Sequence, residues 1–312
     1  MIAPNGSIWP MFSREPHARI WRGSVKRINL SLAVIGACAL AAGCGSSSSK
    51  SSSTAAAGST TSILSASTGL GLRHPGQINF CSDMTIPPLE FVSAGGQPQG
   101  SDIDLGTALG KQMGLTVRFT QISFDGLIAA LQANQCDAIL SSMYDQPDRA
   151  KVIDFIDYQK LGNEIVVKHG NTRQIASLAD LAGLTVGVEK GTSLGPELIS
   201  ASKKLIAAGR PAIKVVTFPG DTAAFQELAT GQIDAFYTDA ATASYDLKKD
   251  PSAGTLAGPQ QSAQDTGIGV RKDSPALRAA LGKALRELQQ NGDYLRILTH
   301  WNLANAAIGP PA

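Results

Sequence analysis

Histidine and cysteine are scarce in this 312-residue chain, with four of each. No Ser-His-Asp or Cys-His arrangement that would activate a nucleophile is visible among so few histidines. No CxxC or mixed Cys/His spacing suggests a metal site, and no cofactor is implied. His74, His169 and His300 lie at segment edges and read as surface residues, while His17 lies in the N-terminal segment. Charge is also sparse, at 17%. Before position 44 lie Arg14, Arg19, Arg22, Lys26 and Arg27 against Glu15 alone. Beyond it stand 22 basic and 24 acidic residues, a net charge of −2. A slightly acidic body without a basic stripe excludes nucleic acid as an expected partner. The apolar run over 28–42 is too short to span a bilayer as a helix. No second membrane segment or cytoplasmic domain is visible, which argues against a signalling receptor. What the chain does have is 43% hydrophobic residues. That content and its length suit two domains of roughly 100 to 150 residues.

The N-terminus reads as an export signal over 1–43. Lys26-Arg27 forms a positive start, the apolar run follows, and the run ends Leu40-Ala41-Ala42-Gly43-Cys44. This ending resembles a bacterial lipobox, which implies cleavage before Cys44 and a lipid on its thiol. Cys38, after Ile35-Gly36-Ala37, is the rival acceptor. An ordinary signal peptide with an idle Cys44 is the plainer alternative. The signal is complete from Val25, so residues 1–24 fit an over-extended start. Residues 44–71 are rich in Ser, Thr, Ala and Gly and read as a flexible tether. The implied partner is the lipid bilayer, reached through Cys44.

After the tether, strand and helix patterns alternate. Strands are expected over 78–82, 115–119, 137–141, 164–168, 184–188, 213–218, 233–237 and 266–270. Helices are expected from Asp102 (as its cap), over 124–133, 195–208, 222–230 and 275–290, and around 294–301. Such alternation predicts an α/β fold with parallel sheets flanked by helices. Leu131 to Ala138 and Leu228 to Ala235 both read as a helix end, a tight loop and a strand opening on Asp-Ala, an echo expected of two similar lobes. Lobe 1 is expected over 72–164 plus 266–305 and lobe 2 over 165–265. Two crossings, near 162–165 and 263–267, would form a two-segment hinge. Cys81 and Cys136 are expected to be free buried thiols. If their strands are parallel neighbours, strand rise separates them beyond disulfide reach.

In open α/β sheets ligands bind beyond the carboxyl ends of strands. The segments there are Asp83-Met-Thr-Ile86-Pro87-Pro88-Leu-Glu90-Phe91, Ser141-Ser142-Met-Tyr144 leading to Pro147-Asp-Arg149, Glu189-Lys-Gly191-Thr192-Ser193, and Thr238-Asp239. Six motifs then run in order from about residue 78 to 301. They are the 83–91 segment, Gly100-Ser-Asp102-Ile-Asp104-Leu, Phe124-Asp-Gly-Leu-Ile, Pro147-x-Arg149-Ala-Lys-x-x-Asp154-Phe155, Val188-x-x-Gly191-Thr192, and Asn291-Gly292-x-Tyr294 through Trp301. Together they resemble the polar amino-acid binding proteins of ABC transporters, the bacterial extracellular solute-binding family 3.

The resemblance implies a periplasmic-binding-protein-like fold and an α-amino acid ligand delivered to a membrane ABC permease. Arg149 would pair with the ligand α-carboxylate through its planar fork of donors. Thr192 and Ser193, at a helix start, would grip the same carboxylate. Asp239 would accept from the α-ammonium. Ser141, Ser142 and Tyr144 match positions at the ligand backbone, while Asp83, Ile86 and Phe124 match the side-chain pocket. Pro87, Pro88, Glu90 and Phe91 read as structural. Two residues depart from the family pattern: Ile86 stands where an aromatic is usual, and Tyr144 where a small hydroxyl is usual. Both lie in the specificity region, so the clamp on the ligand backbone is better defined than the side chain it accepts. Asp83 and Glu189 point to a polar or cationic one. The competing reading is a cyclohexadienyl dehydratase-like enzyme on the same fold, with Glu189 or Asp83 as proton donor.

Overall fold

The computed structural model describes residues 69–309 except Ser262. The expected export signal, Cys44 and all but the last three residues of the expected tether lie outside them. The described chain builds two five-stranded sheets and one small three-stranded sheet.

The first large sheet has the order β5-β1-β6-β13-β7. Its strands are β1 (Gln77–Ser82), β5 (Thr116–Gln121), β6 (Ala138–Ile139), β7 (Ile153–Leu161) and β13 (Gln264–Arg271). The small sheet holds β2 (Thr85–Ile86), β3 (Glu90–Val92) and β4 (Pro98–Gln99). The second large sheet has the order β10-β9-β11-β8-β12. Its strands are β8 (Asn163–Val167), β9 (Thr185–Glu189), β10 (Lys214–Phe218), β11 (Ala235–Asp239) and β12 (Thr255–Ala257). The helices are α1 (Ser101–Gln112), α2 (Leu127–Gln132), α3 (Pro147–Ala150), α4 (Leu194–Ala207), α5 (Asp221–Thr230), α6 (Ala240–Lys249), α7 (Pro275–Gln290) and α8 (Asp293–His300).

Helical spacing explains the packing. In α1, Ile103, Leu105 and Leu109 are buried, and the helix lies against β5 and α7. β1 is buried on both faces from Ile78 onward, as a central strand covered by helices must be. Each large sheet has two parallel and two antiparallel pairings. The expectation of mostly parallel sheets is therefore corrected to mixed ones. The antiparallel half comes from the strands that carry the chain between sheets. β7 leads through Gly162 directly into β8, and β12 returns to β13. β7 and β13 pair antiparallel along most of their length. The sequence pattern hides β7 because Asp154, Asp157 and Gln159 interrupt its apolar run.

Two further expectations change. Asp102 does not cap α1, whose cap position is Gly100, two residues earlier, with no side-chain cap hydrogen bond. Gly100 has φ 128°, and a β-carbon there would collide with the Leu89 carbonyl. Asp102 instead turns inward and is fully buried. Cys81 and Cys136 are not free thiols but form a disulfide, with Cα atoms 5.7 Å apart. Cys81 does pair with Ile139, beyond Cys136. However, residues 135–137 are bent rather than extended, so strand rise does not apply to them. The Asp137 carboxylate fixes the bend by accepting from the backbone N–H groups of Arg73 and Asn79, both at 2.8 Å.

The disulfide bridges a sequence separation of 55 residues. Loop-closure entropy on that scale predicts that replacing both cysteines by serine lowers stability by about 4 kcal/mol. Urea unfolding of oxidised wild type and the double variant checks this, with an unchanged midpoint counting against it.

Candidate functional site

The site forms where the carboxyl ends of β1, β6, β9 and β11 face each other across the two large sheets. Ser142, with φ 42°, follows β6 and lies over a buried acid network. Its N–H and hydroxyl both donate to the Asp102 carboxylate, at 2.8 and 3.0 Å. Tyr158 donates to the same oxygen at 2.7 Å. Ser141 donates to Glu90 at 2.8 Å and accepts from the Asp83 N–H at 3.0 Å. Burial raises the Glu90 carboxyl well above its usual value, and the nearby Asp102 raises it further. Burial also pushes Asp102 up, to about 6. Two desolvated carboxyl groups this close favour a shared proton over two charges.

Arg149 sits on α3, which opens with Pro147 at a position where no backbone donor is lost. Its guanidinium donates to the Tyr144 carbonyl at 3.0 Å and, across the cleft, to the Gly191 carbonyl at 3.2 Å. It lies over the Phe124 ring, 5.4 Å from the centroid. Burial lowers its pKa to about 10, which leaves it charged at neutral pH.

From the second sheet, Thr192 and Ser193 stand at the start of α4, where backbone N–H groups lack helical partners. The Thr192 hydroxyl donates to the Glu189 carbonyl at 2.9 Å. The Ser193 hydroxyl is buried without a hydrogen-bond partner among the described residues. Asp239 occupies the cap position of α6, yet its side chain makes no cap hydrogen bond. It accepts from the Tyr144 hydroxyl, which also lies 2.6 Å from Asn163 Oδ1. Burial raises Asp239 to about 6, while Tyr144 and Arg149 pull it down.

Nine of the eleven predicted residues line one cavity: Ile86, Phe124, Ser142, Tyr144, Arg149, Glu189, Thr192, Ser193 and Asp239. Asp83 and Ser141 stand behind this wall, buried. Three lining residues escaped the sequence reading: Leu194, Asp221 and Thr238. Asp221 was legible by the same strand-end rule, since it follows β10 as Asp83 follows β1. The cavity volume is about 20 Å³, room for about one water, so the walls must part to admit an amino acid. A larger cavity of about 840 Å³ lies behind the crossings, lined by Gly162, Tyr245 and Trp301 among others. It contains none of the predicted residues. Among the described residues, no cluster of three or more His, Cys, Asp or Glu is arranged to hold a metal.

The two sheets touch at three further places. Lys190 pairs with Asp125 at 2.7 Å. Thr222 donates to the Thr85 carbonyl at 2.7 Å. Gly191, at φ +85°, packs against the Asp125 backbone.

Two sheets, two crossings and a polar cleft at the strand ends define a two-lobed ligand-binding protein. The chain belongs to the bacterial extracellular solute-binding proteins, family 3, whose model matches residues 78–304. It is 33% identical over 242 residues to ABC transporter arginine-binding protein 1 of Escherichia coli K12, covering 76% of this chain and 96% of that protein. An ancestral arginine-binding protein solved with arginine is 37% identical, with a TM-score of 0.68 over 72% of this chain and 98% of that one. A third similar structure is an ancestral amino acid-binding protein described as a precursor of cyclohexadienyl dehydratase. It is 31% identical, with a TM-score of 0.63 over 72% of this chain and 95% of that one.

A β-carbon at Gly191 would lie 2.6 Å from Asp125 Cα, a clash that exists only when the lobes meet. Gly191→Ala is therefore expected to weaken ligand binding by at least about tenfold, through a closure equilibrium shifted by about 1.4 kcal/mol. Calorimetry reads the affinity, and small-angle scattering should show a larger radius of gyration in the variant. Identical values for both would remove this contact as a requirement for closure.

Proposed function

We propose that this chain is the extracytoplasmic substrate-binding component of an amino-acid ABC importer. It closes over an α-amino acid and presents the closed form to a membrane permease. The observation that carries this reading is the convergence of Arg149 and Asp239 from opposite sheets on one cleft, within a chain that matches the family from residue 78 to 304. Arg149 takes the α-carboxylate, assisted by Thr192, Ser193 and the N–H groups opening α4. Asp239 takes the α-ammonium, displacing the Tyr144 hydroxyl that otherwise holds it. Ser142 lies beside the ligand backbone, with Ser141 supporting it. Ile86 and Phe124 flank the side chain, and Asp83 and Glu189 favour a polar or cationic one. Relatives and neighbours named for arginine binding support that preference.

The lobes are 72–164 plus 266–305 and 165–265, turning about the two crossings at 162–165 and 263–267. One ligand that contacts both lobes favours the closed form by its differential affinity for it. The chain works outside the cytoplasmic membrane. Among the described residues no helix is long and apolar enough to cross one. Cys44 carries the lipid that holds the protein to the bilayer, and 1–43 is removed on export. Intact mass of the exported protein tests this: a mature chain retaining Met1 to Arg22 removes it.

A dehydratase reading uses the same cleft, with Glu189 or Asp83 as the acid. The motive for it is the similarity to a dehydratase precursor, itself described as an amino acid-binding protein. A turnover assay on prephenate and arogenate separates the two readings.

A thermal-shift screen of the common amino acids is the first test, because a ligand at 100 times its Kd stabilises by about 2.7 kcal/mol. No shift with any of them opposes the importer reading. Arg149→Ala and Asp239→Ala should each weaken binding by about 2–5 kcal/mol, since each leaves a ligand charge unpaired. Unchanged calorimetric affinity in either variant removes the clamp.

A further inference from the structure

The clamp on the ligand backbone uses one carboxylate, Asp239. The same cleft holds three more, from both lobes. Asp83 follows β1, Glu189 ends β9, and Asp221 opens α5. All three are buried, at 2–3% exposure. The carboxylates of Asp83 and Glu189 flank a single hydroxyl, which Asp221 reaches through its backbone N–H. Thr85 Oγ1 donates to Asp83, lies 3.5 Å from Glu189 Oε1, and accepts from the Asp221 N–H at 3.2 Å. Asp221 also accepts from the Thr238 hydroxyl.

Charge around this group is one-sided. From lobe 2, Asp239 at the end of β11 and Asp246 on α6 both act on Asp221 as like charges. From lobe 1, Asp83 acts on both Asp221 and Glu189. Glu90 lies deeper in lobe 1, close enough to feel both Asp83 and Glu189. The nearest other cation, Lys190, is exposed and already paired with Asp125. Arg149 is the one cationic side chain lining the cavity, and in the proposed function it is committed to the ligand carboxylate. Three desolvated carboxyl groups that act on one another as like charges, two of them lining one small cavity, cannot all ionise without a positive charge among them. That charge is either a proton or a cation brought by the ligand.

We propose that Asp221 is a specificity-determining residue of the ligand site. With Glu189 and Asp83 it forms a wall that holds protons and releases one to solvent when the side-chain cation of a basic amino acid takes its place. The position of Asp221 suits the exchange. It occupies the first turn of α5, where the helix dipole favours the ionised form, while burial raises its carboxyl and that of Glu189 well above the usual range. The wall therefore keeps its protons without a cation and gives one up when a cation arrives. A neutral side chain of the same shape leaves the protons in place. The sign follows: binding a basic amino acid releases a proton, so its affinity rises with pH, and a neutral one shows no such slope.

The inference rests on the reading of the cleft as an amino-acid site, and the test keeps the two apart. L-arginine and its neutral near-isostere L-citrulline are titrated calorimetrically into wild type, Asp221→Asn and Glu189→Gln. The titrations run in buffers of different ionisation enthalpy, from about pH 6 to about pH 8. Wild type should bind arginine at least about tenfold tighter than citrulline at the upper pH. It should release about one proton per arginine and none per citrulline. In Asp221→Asn the preference should fall about tenfold, the proton release should shrink, and citrulline affinity should hold or rise. Glu189→Gln should move the same quantities in the same direction and guards against a folding defect in the first variant. An unchanged proton count and an unchanged preference in both variants overturn the proposal. So does an equal loss for both ligands, which marks Asp221 as merely structural. Citrulline binding without arginine binding overturns the proposal while leaving the amino-acid site standing. Binding of neither ligand to wild type overturns both.

Discussion

A half-buried guanidinium between two sheets organises this molecule. Arg149 leaves the first sheet's side of the cleft, donates to the Tyr144 carbonyl, and reaches the Gly191 carbonyl on the other. Neither carbonyl neutralises it. A cation drawn partly out of water without a counter-ion is disfavoured, which suits the proposal that a ligand carboxylate pairs with it. The rest of the cleft complements that need. Helix α4 turns its free N–H groups toward the same space, and Asp239 faces it from the second sheet. Opposite charges fixed on separate lobes make closure depend on what lies between them.

Support for this arrangement comes from below. Glu90, Asp102 and Tyr158 are buried beneath Ser141 and Ser142 and hold both hydroxyls in place. Ser142 adopts a left-handed backbone that a serine rarely takes. The hydrogen bonds from its N–H and hydroxyl to Asp102 offset that strain. The Cys81–Cys136 disulfide ties the end of β1 to the turn before β6, the two strands from which Asp83 and Ser141 emerge. These ties brace the floor of the cleft.

The cleft carries more negative charge than its proposed clamp needs. Asp239 is the one carboxylate assigned to that clamp, whereas Asp83 and Glu189 flank the Thr85 hydroxyl and Asp221 lines the cavity beside Glu189. Such an excess is costly in a dry site unless protons or a cation offset it. Ile86 and Tyr144 fit this picture. With isoleucine at position 86 that wall offers no flat face to stack on a ligand side chain, which leaves more of the discrimination to charge and hydrogen bonding. Tyr144 fills space and covers Asp239 with a hydroxyl, limiting the desolvation of an unpaired carboxylate.

Local sequence determined the elements whose signal is local. Apolar periodicity marked α1, α4, α5 and α7 within a few residues, and short apolar runs marked β1, β9, β10 and β11. The strand-end rule singled out the segments that hold eight of the nine predicted residues lining one cavity, because strand direction puts those positions on one side of a sheet, and the family resemblance added Phe124. Tertiary structure decided what depends on partners distant in sequence. β7 became a strand only through its long pairing with β13, which outweighs its interrupted apolar pattern. Asp102 looked like a helix cap, but the buried Tyr158 and Ser142 gave it better donors. Cys81 and Cys136 bonded because a three-residue bend, held by Asp137, replaced the extended path that spacing implied. Asp221 joined Asp83 and Glu189 for the same reason. The three are far apart along the chain, and only the meeting of two sheets brings them together at Thr85, Asp221 through its backbone N–H.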